Sequence, residues 1–226
     1  MLSLSLLNDP SIVEIGVDET GRGPLFGRLY TAAVILPKDN TFDVTMVKDS
    51  KKFTSHKKLM ESYNYILENA AAIAVSFQDA KTIDIKNIRI ATLESMHTSI
   101  HKVINQYSQS NLNLKHNFHL LIDGCDFKPF SIIKKSKFIN IPHTCVEKGD
   151  NTFAAIAAAS IVAKVERDQY ISELCETYPA LNNYALLNNK GYGTKKHLDA
   201  IKEFGVTQWH RTSFNRCKGE RTNHIY

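Results

Sequence analysis

SIVEIGVDETGRGPLFGRLYTAAVIL, residues 11–36, is the stretch whose reading decides the fold. Ser11 to Val17 is β-branched and mostly apolar, as a strand buried in a sheet requires, and Arg28 to Leu36 reads the same way. Between them, DETGRGPLFG is a turn-rich link. Outward from this pair the elements alternate. Thr54 to Asn69 has helical spacing at Leu59, Tyr63, Ile66 and Leu67, with Thr54 as its cap. Ala71 to Phe77 reads as a short strand, and Ile83 to Tyr107 carries one long amphipathic pattern. Asn117 to Ile122 is a strand ending at Asp123-Gly124, and Lys137 to Val146 alternates like an edge strand interrupted by Pro142. Thr152 to Glu173 is alanine-rich and apolar around most of its circumference, the pattern of a helix buried at the centre of a fold. A basic helix, Thr194 to Phe204, follows an irregular stretch. No period repeats and no proline- or serine-rich linker divides the chain. The expectation is one α/β domain over residues 1–226, with a core over about 11–175 and a small basic helical extension over about 176–226.

The composition is that of a globular chain: 226 residues, 43% hydrophobic and 23% charged, with 10 Gly and 6 Pro, which excludes disorder, collagen and low-complexity polymers. A chain of this size buries roughly 70% of the surface its unfolded form exposes, so its core needs no covalent staple. Cys125, Cys145, Cys175 and Cys217 form no C-x-x-C pair and write neither a zinc ribbon nor a redox motif, so reduced thiols in a cytoplasmic protein are expected. The opening MLSLSLLNDP lacks a basic n-region, and no run approaches the roughly 18 apolar residues of a membrane span, so neither export nor membrane insertion is expected. The net charge is +5, and Lys190 to Tyr226, with eight basic and three acidic residues, carries all of it. Lys48 to Lys58 adds five lysines against Asp49. Such clusters on an otherwise neutral body suit a polyanion, nucleic acid first, or a solvated surface.

Acidic residues stand at strand ends. Asp18 and Glu19 end the first strand, Asp123 ends the fourth, and Asp150 immediately precedes the buried helix. Ligands of open α/β sheets bind at strand carboxyl ends, and carboxylates gathered there repel one another unless cations neutralise them. Acidic oxygens without His or Cys suit Mg²⁺ or Mn²⁺. On the residues alone a second reading stands beside this one: Asp150 as a helix cap and Asp123-Gly124 as a turn pair. Other chemistries are absent. GRGPLFG misses both the dinucleotide-binding glycine spacing and the P-loop lysine, HTSIH at His97 and His101 lacks the glutamate of a zinc hydrolase, and no Gly-x-Ser-x-Gly elbow exists. Water is the expected nucleophile.

GVDETGRGPLFG, VKDSKKFT, LLIDG, KGDNTFAAIAAASIVAKVERD, and NKGYGTKKH with a later HRTSF occur in the order that the type 2 ribonuclease H (ribonuclease HII) family shows. From Ile12 to Phe214 the chain resembles that family. The resemblance implies a ribonuclease H-like fold, a mixed β-sheet flanked by helices, and an endoribonuclease that hydrolyses the RNA strand of RNA:DNA hybrids and nicks DNA 5′ of embedded ribonucleotides. It implies Asp18, Glu19, Asp123 and Asp150 as catalytic and metal-binding acids using Mg²⁺ or Mn²⁺ in a two-metal mechanism that leaves 3′-hydroxyl and 5′-phosphate ends. Gly21, Arg22 and Gly23 then read the 2′-hydroxyl, Tyr192 lies under the sugar, and Lys51 and Lys52, with Lys195 and Lys196, hold phosphates. A cytoplasmic monomer serving DNA replication and ribonucleotide excision repair is implied, with nucleic acid and no membrane as its partner. Thr20, Phe26, Arg28 and Cys125 depart from the family's usual residues, and none is a carboxylate. Type 3 enzymes carry an extra N-terminal domain, whereas 17 residues precede Asp18 here, so type 2 is favoured. The rivals are a non-catalytic module, whose mark would be a missing carboxylate, and a DNA-only nuclease of the same fold, against which the G-R-G and G-Y-G segments speak.

Overall fold

Strand β1 (Ile12–Thr20) lies at the centre of a five-stranded sheet in the computed structural model, which describes residues 2–39, 41–110, 117–134 and 136–225. After it come β2 (Leu29–Ile35), α1 (His56–Asn69), β3 (Ala72–Gln78), α2 (Ala80–Lys86), α3 (Ile88–Ser110) and β4 (Asn117–Asp123). The chain continues through β5 (Phe130–Lys134), β6 (Lys137–Ile141), β7 (His143–Val146), α4 (Ala154–Thr177), α5 (Leu186–Asn189) and α6 (Lys195–Phe204). The sheet order is β3-β2-β1-β4-β7, and β5 pairs with β6 as a separate antiparallel ribbon. This is the mixed sheet flanked by helices that the sequence led us to expect. No helix among the described residues is long and apolar enough to cross a membrane.

The chain forms two compact units. One comprises Met1–Glu19, Thr31–Ser76 and Leu93–Val165, and the other comprises Thr20–Tyr30, Phe77–Thr92 and Glu166–Tyr226. Successive strand side chains point to opposite faces, which sorts β1 into two faces. Ile15 and Val17 join the core of the first unit with Met96, Ile100, Leu120 and Ile122. On the other face lie Glu14, Gly16 and Asp18, and the start of α4 approaches so closely there that a Cβ on Gly16 would stand 2.1 Å from the carbonyl carbon of Ala155. Only glycine permits that approach. The second unit has its own core around Phe26, Ile171, Leu181, Tyr184 and Ile201.

Several boundaries differ from the sequence reading. Ser55 rather than Thr54 caps α1, its Oγ accepting from the amide of Lys58 at 3.2 Å. The pattern from Ile83 to Tyr107 divides at Asn87, whose φ of 67° breaks the helix and whose Oδ1 accepts from the amide of Ile90 at 3.0 Å to start α3. Apolar spacing continues across that break, so periodicity alone read it as one helix. The run from Lys137 to Val146 is two strands in two sheets. Pro142 has no amide to give, so the ribbon ends at the Phe130–Ile141 pair, while the Pro142 carbonyl accepts from Leu120 at 2.9 Å where β7 joins the sheet edge. Strand β5 was not foreseen.

Candidate active site

The parallel register that sets Val17 beside Ile122 brings Asp18, two residues before the end of β1, and Asp123, the last residue of β4, one residue further on to the same end of adjacent strands. Asp18 is buried, and one of its carboxylate oxygens accepts the amide of Glu19 at 2.6 Å. Burial raises its pKa well above the ordinary carboxylate value, and the charges of Glu19 and Asp123 raise it further, against a hydrogen bond from Ser160. Ser160 sits on α4 and bonds Ser50 at 3.0 Å, so two buried hydroxyls tie the Asp18 site to the lysine-bearing turn.

Asp123 is held by the next turn. Its Oδ1 accepts the amide of Gly149 at 2.7 Å, and a Cβ at Gly149 would crowd Ile156 Cδ1 at 2.5 Å and that same Oδ1 at 3.3 Å. Asp150, the following residue, is buried in the 3₁₀ turn Gly149–Asn151. Burial raises its pKa, as do the charges of Asp49 and Asp123. Asn151 donates to Asp150 at 2.9 Å and to Asp49 at 3.4 Å, and accepts from Lys52 Nζ. Asp49 in turn accepts the amide of Lys51 at 2.9 Å. Lys51 and Lys52 are exposed, as phosphate contacts need to be.

The four expected acids therefore fall in one unit: the charge of Asp123 bears on both Asp18 and Asp150, and that of Glu19 bears on Asp18. No three His, Cys, Asp or Glu side chains among the described residues stand arranged to enclose an ion as they are. The donor set nevertheless fits a hard divalent cation: oxygen donors only, with carboxylates whose dominant charged neighbours are other carboxylates. The amides of Thr152 and Phe153, which a capping Asp150 would take, go instead to the Gly149 carbonyl at 2.9 and 2.8 Å.

The segments expected to read the sugar belong to the second unit, whereas Lys51 and Lys52 belong to the first. Gly21 is buried while Arg22 and Gly23 are exposed, and Tyr192 is 49% exposed, its Cε1 lying 3.5 Å from where a Cβ on Gly23 would stand. Tyr192 is thus an open ring beside the glycine turn rather than a buried core residue. Leu25 donates its amide to the carbonyl of Gly191 at 2.8 Å, and a Cβ on Gly191 would meet the carbonyl oxygen of Phe26 at 2.9 Å, so G-R-G and G-Y-G are stitched together by backbone.

Two arginines that the sequence reading did not place at this loop hold it. Arg167 donates Nε to the carbonyl of Arg28 at 3.0 Å, Nη1 to Lys190 at 2.9 Å and Nη2 to Phe26 at 3.0 Å. Arg211 donates Nη2 to Gly21 at 2.7 Å, Nη1 to Arg22 at 3.0 Å, and Nε and Nη2 to Gly27 at 3.1 and 2.9 Å. Both side chains are buried, and burial followed by the neighbouring Arg167 charge pulls Arg211 down to about 9. Among the departures, Phe26 fills the second core, and Arg28 lies over the rings of Phe77 at 3.9 Å and Tyr170 at 4.5 Å. Cys125 is an exposed free thiol.

The Ribonuclease HII family model matches residues 15–217. A Ribonuclease HII of Phocaeicola vulgatus is 42% identical over 205 residues, covering 90% of this chain and 90% of that relative. Among solved structures, the ribonuclease H2 of Pyrococcus horikoshii OT3 shares the fold at a TM-score of 0.70 and 21% identity, covering 92% of this chain and 96% of that one. Bst-RNase HIII, solved in complex with Mn²⁺, does so at 0.64 and 19%, covering 92% of this chain and 68% of its own. With its carboxylates at paired strand ends and nearly its whole length matched, this chain belongs to the ribonuclease HII family of nucleases.

Proposed function

We propose that this protein is an endoribonuclease that hydrolyses the RNA strand of RNA:DNA hybrids and nicks duplex DNA 5′ of embedded ribonucleotides, leaving 3′-hydroxyl and 5′-phosphate ends. The observation that carries the reading is the parallel register of β1 and β4, which sets the buried Asp18 beside its neighbours Glu19 and Asp123, where burial first and then those two charges push its carboxyl up. Asp18, Glu19, Asp123 and Asp150 would hold the divalent ions, Mg²⁺ or Mn²⁺, and an Mn²⁺ complex of a protein of the same fold supports that choice. When bound, such ions lower the pKa of the attacking water and stabilise charge on the departing 3′ oxygen. Everything else falls to the chain. The Gly149 amide fixes Asp123, Asn151 fixes Asp150 against Asp49, and Lys51 and Lys52 present charge to phosphates without reading sequence.

Discrimination falls to the second unit. Gly21 to Gly23 present backbone close to a sugar, where a 2′-hydroxyl distinguishes RNA from DNA, and Tyr192 offers a flat face beside them. Gly21 follows Glu19 by two residues, so reading and cleaving groups are neighbours along the chain. Four free thiols suit a reducing cytoplasm, where we place the protein as a monomeric, single-domain enzyme of DNA replication and ribonucleotide excision repair.

The test is a strand-cleavage assay with three end-labelled duplexes in Mg²⁺ and in Mn²⁺: all-DNA, RNA:DNA hybrid, and DNA with one ribonucleotide. Cleavage of the last two, with the nick 5′ of the ribonucleotide, is expected. Cleavage of all-DNA duplex would indicate a DNA nuclease of the same fold. No cleavage of any duplex, with binding retained, would indicate a non-catalytic module.

A further inference from the structure

A chain of hydrogen bonds runs through the second core and ends on Tyr192. His210 Nδ1 lies 2.9 Å from the backbone amide of Thr207 and 2.9 Å from its hydroxyl, His210 Nε2 lies 3.1 Å from His197 Nε2, and His197 Nδ1 lies 3.0 Å from the carbonyl oxygen of Tyr192. His197, His210 and Thr207 are all buried. A backbone amide only donates, so His210 Nδ1 accepts and carries no proton. Neutral His210 then holds its proton on Nε2 and donates to His197. His197 must accept at Nε2, so it holds its own proton on Nδ1 and donates to Tyr192. Two protons cannot share the contact between the two Nε2 atoms, so one proton assignment fits, with both rings neutral. Burial favours the same state in both rings.

Tyr192 stands between Gly191 and Gly193, so side-chain sterics do little to fix its peptide planes. What fixes them is hydrogen bonding: the Tyr192 amide to the carbonyl of Asn189 at 2.9 Å, the amide of Thr194 to the Tyr192 carbonyl at 2.8 Å, and His197 to that same carbonyl. Tyr184 and Phe26 pack edge-on against the histidine rings and hold them in place.

We infer that His197, with its tautomer set by His210, is a positioning residue for ribonucleotide recognition that aims the Tyr192 ring through the Tyr192 carbonyl. This rests on the reading of Tyr192 as the sugar contact. A histidine pair that merely satisfied the core would have no effect on substrate choice.

The experiment compares kcat/KM on a single-ribonucleotide duplex and on a continuous hybrid for His197→Phe, His197→Asn and Tyr192→Ala, in the full chain. Phenylalanine keeps the ring and removes the donor, while asparagine places an N–H where Nδ1 stood. His197→Phe is expected to lower the single-ribonucleotide value at least about fivefold more than the hybrid value, the weight of one neutral hydrogen bond. His197→Asn is expected to restore most of that loss. Equal losses on both substrates in both His197 variants, while Tyr192→Ala remains selective for the single ribonucleotide, would overturn the inference alone. Equal losses in Tyr192→Ala would overturn the sugar-contact reading beneath it. Nitrogen-15 NMR of the unmodified protein tests the tautomers whatever the variants' folding: His197 protonated on Nδ1 and His210 on Nε2 are expected, and the reverse would refute the relay.

Discussion

Arg211→Lys keeps a positive charge and removes a geometry. The guanidinium makes four hydrogen bonds to three backbone carbonyls, those of Gly21, Arg22 and Gly27, with its side chain fully buried. A lysine presents one nitrogen at the end of a flexible stem and cannot span three carbonyls that a planar fork reaches. At least two bonds are lost, and each bond from a charged donor is worth about 1.5–3 kcal/mol, so the cost is about 3–6 kcal/mol. Against a total stability of about 5–15 kcal/mol this is severe. At about 2–4 °C per kcal/mol for a chain of this length, the melting temperature falls by about 6–24 °C. Calorimetry at neutral pH measures that fall directly. Cleavage, measured well below both transitions, is expected to drop more on a single-ribonucleotide duplex than on a hybrid, because the loosened carbonyls belong to the turn proposed to read the 2′-hydroxyl. A melting shift under about 2 °C, smaller than one orphaned carbonyl produces, would refute the claim that Arg211 holds the loop.

Asp123→Asn retains an oxygen for the Gly149 amide but loses a ligand charge, so cleavage is abolished while the fold persists, and the melting temperature in chelator rises as repulsion with Asp18 is relieved. Near wild-type cleavage in Mg²⁺ would show the acid assignment to be wrong. Gly16→Ala places a Cβ 2.1 Å from backbone of Ala155, so α4 must move, and urea unfolding is expected to show a loss above about 3 kcal/mol, beyond ordinary overpacking. His210 is depressed to about 3 by burial and then by His197, so folding favours its neutral form. Its contribution is complete above the ordinary histidine value of 6.5 and is lost as pH falls toward 3, about 2 kcal/mol by pH 5. Asp18 and Asp150, whose raised carboxyls gain stability as they protonate, act in the opposite sense, so melting scans from pH 7.5 to 5 in an Asp18→Asn, Asp150→Asn background should show that decline, and a flat profile there would contradict it.

Much of this was legible because it is local. A strand that ends in Asp18-Glu19, another that ends in Asp123, and an alanine-rich helix after Asp150 each announce themselves within a few residues. The helix break at Asn87 and the division at Pro142 were less legible, since apolar spacing continues through both and only pairing partners far along the chain reveal the change of element. Strand β5 hid for the same reason: FSIIK acquires meaning as a strand from Phe138 and Ile139 across the ribbon.

The scaffold of the reading loop was hidden for a different reason. Apart from Lys190, the backbone carbonyls that Arg167 and Arg211 hold lie more than a hundred positions away, and a carbonyl carries no side-chain signature that a sequence can display. One signal was available. Ala163, Arg167 and Ile171 follow at four-residue spacing on α4, and all three are buried, so Arg167 interrupts an apolar stripe with a charge. A buried guanidinium must find acceptors, because leaving it unpaired costs more than the helix gains from that turn. Acidic partners would have cancelled the charge beside the loop proposed to meet a polyanion. Carbonyl dipoles instead accept three hydrogen bonds from Arg167 and four from Arg211 while fixing the loop's backbone, and both arginines keep their positive charge.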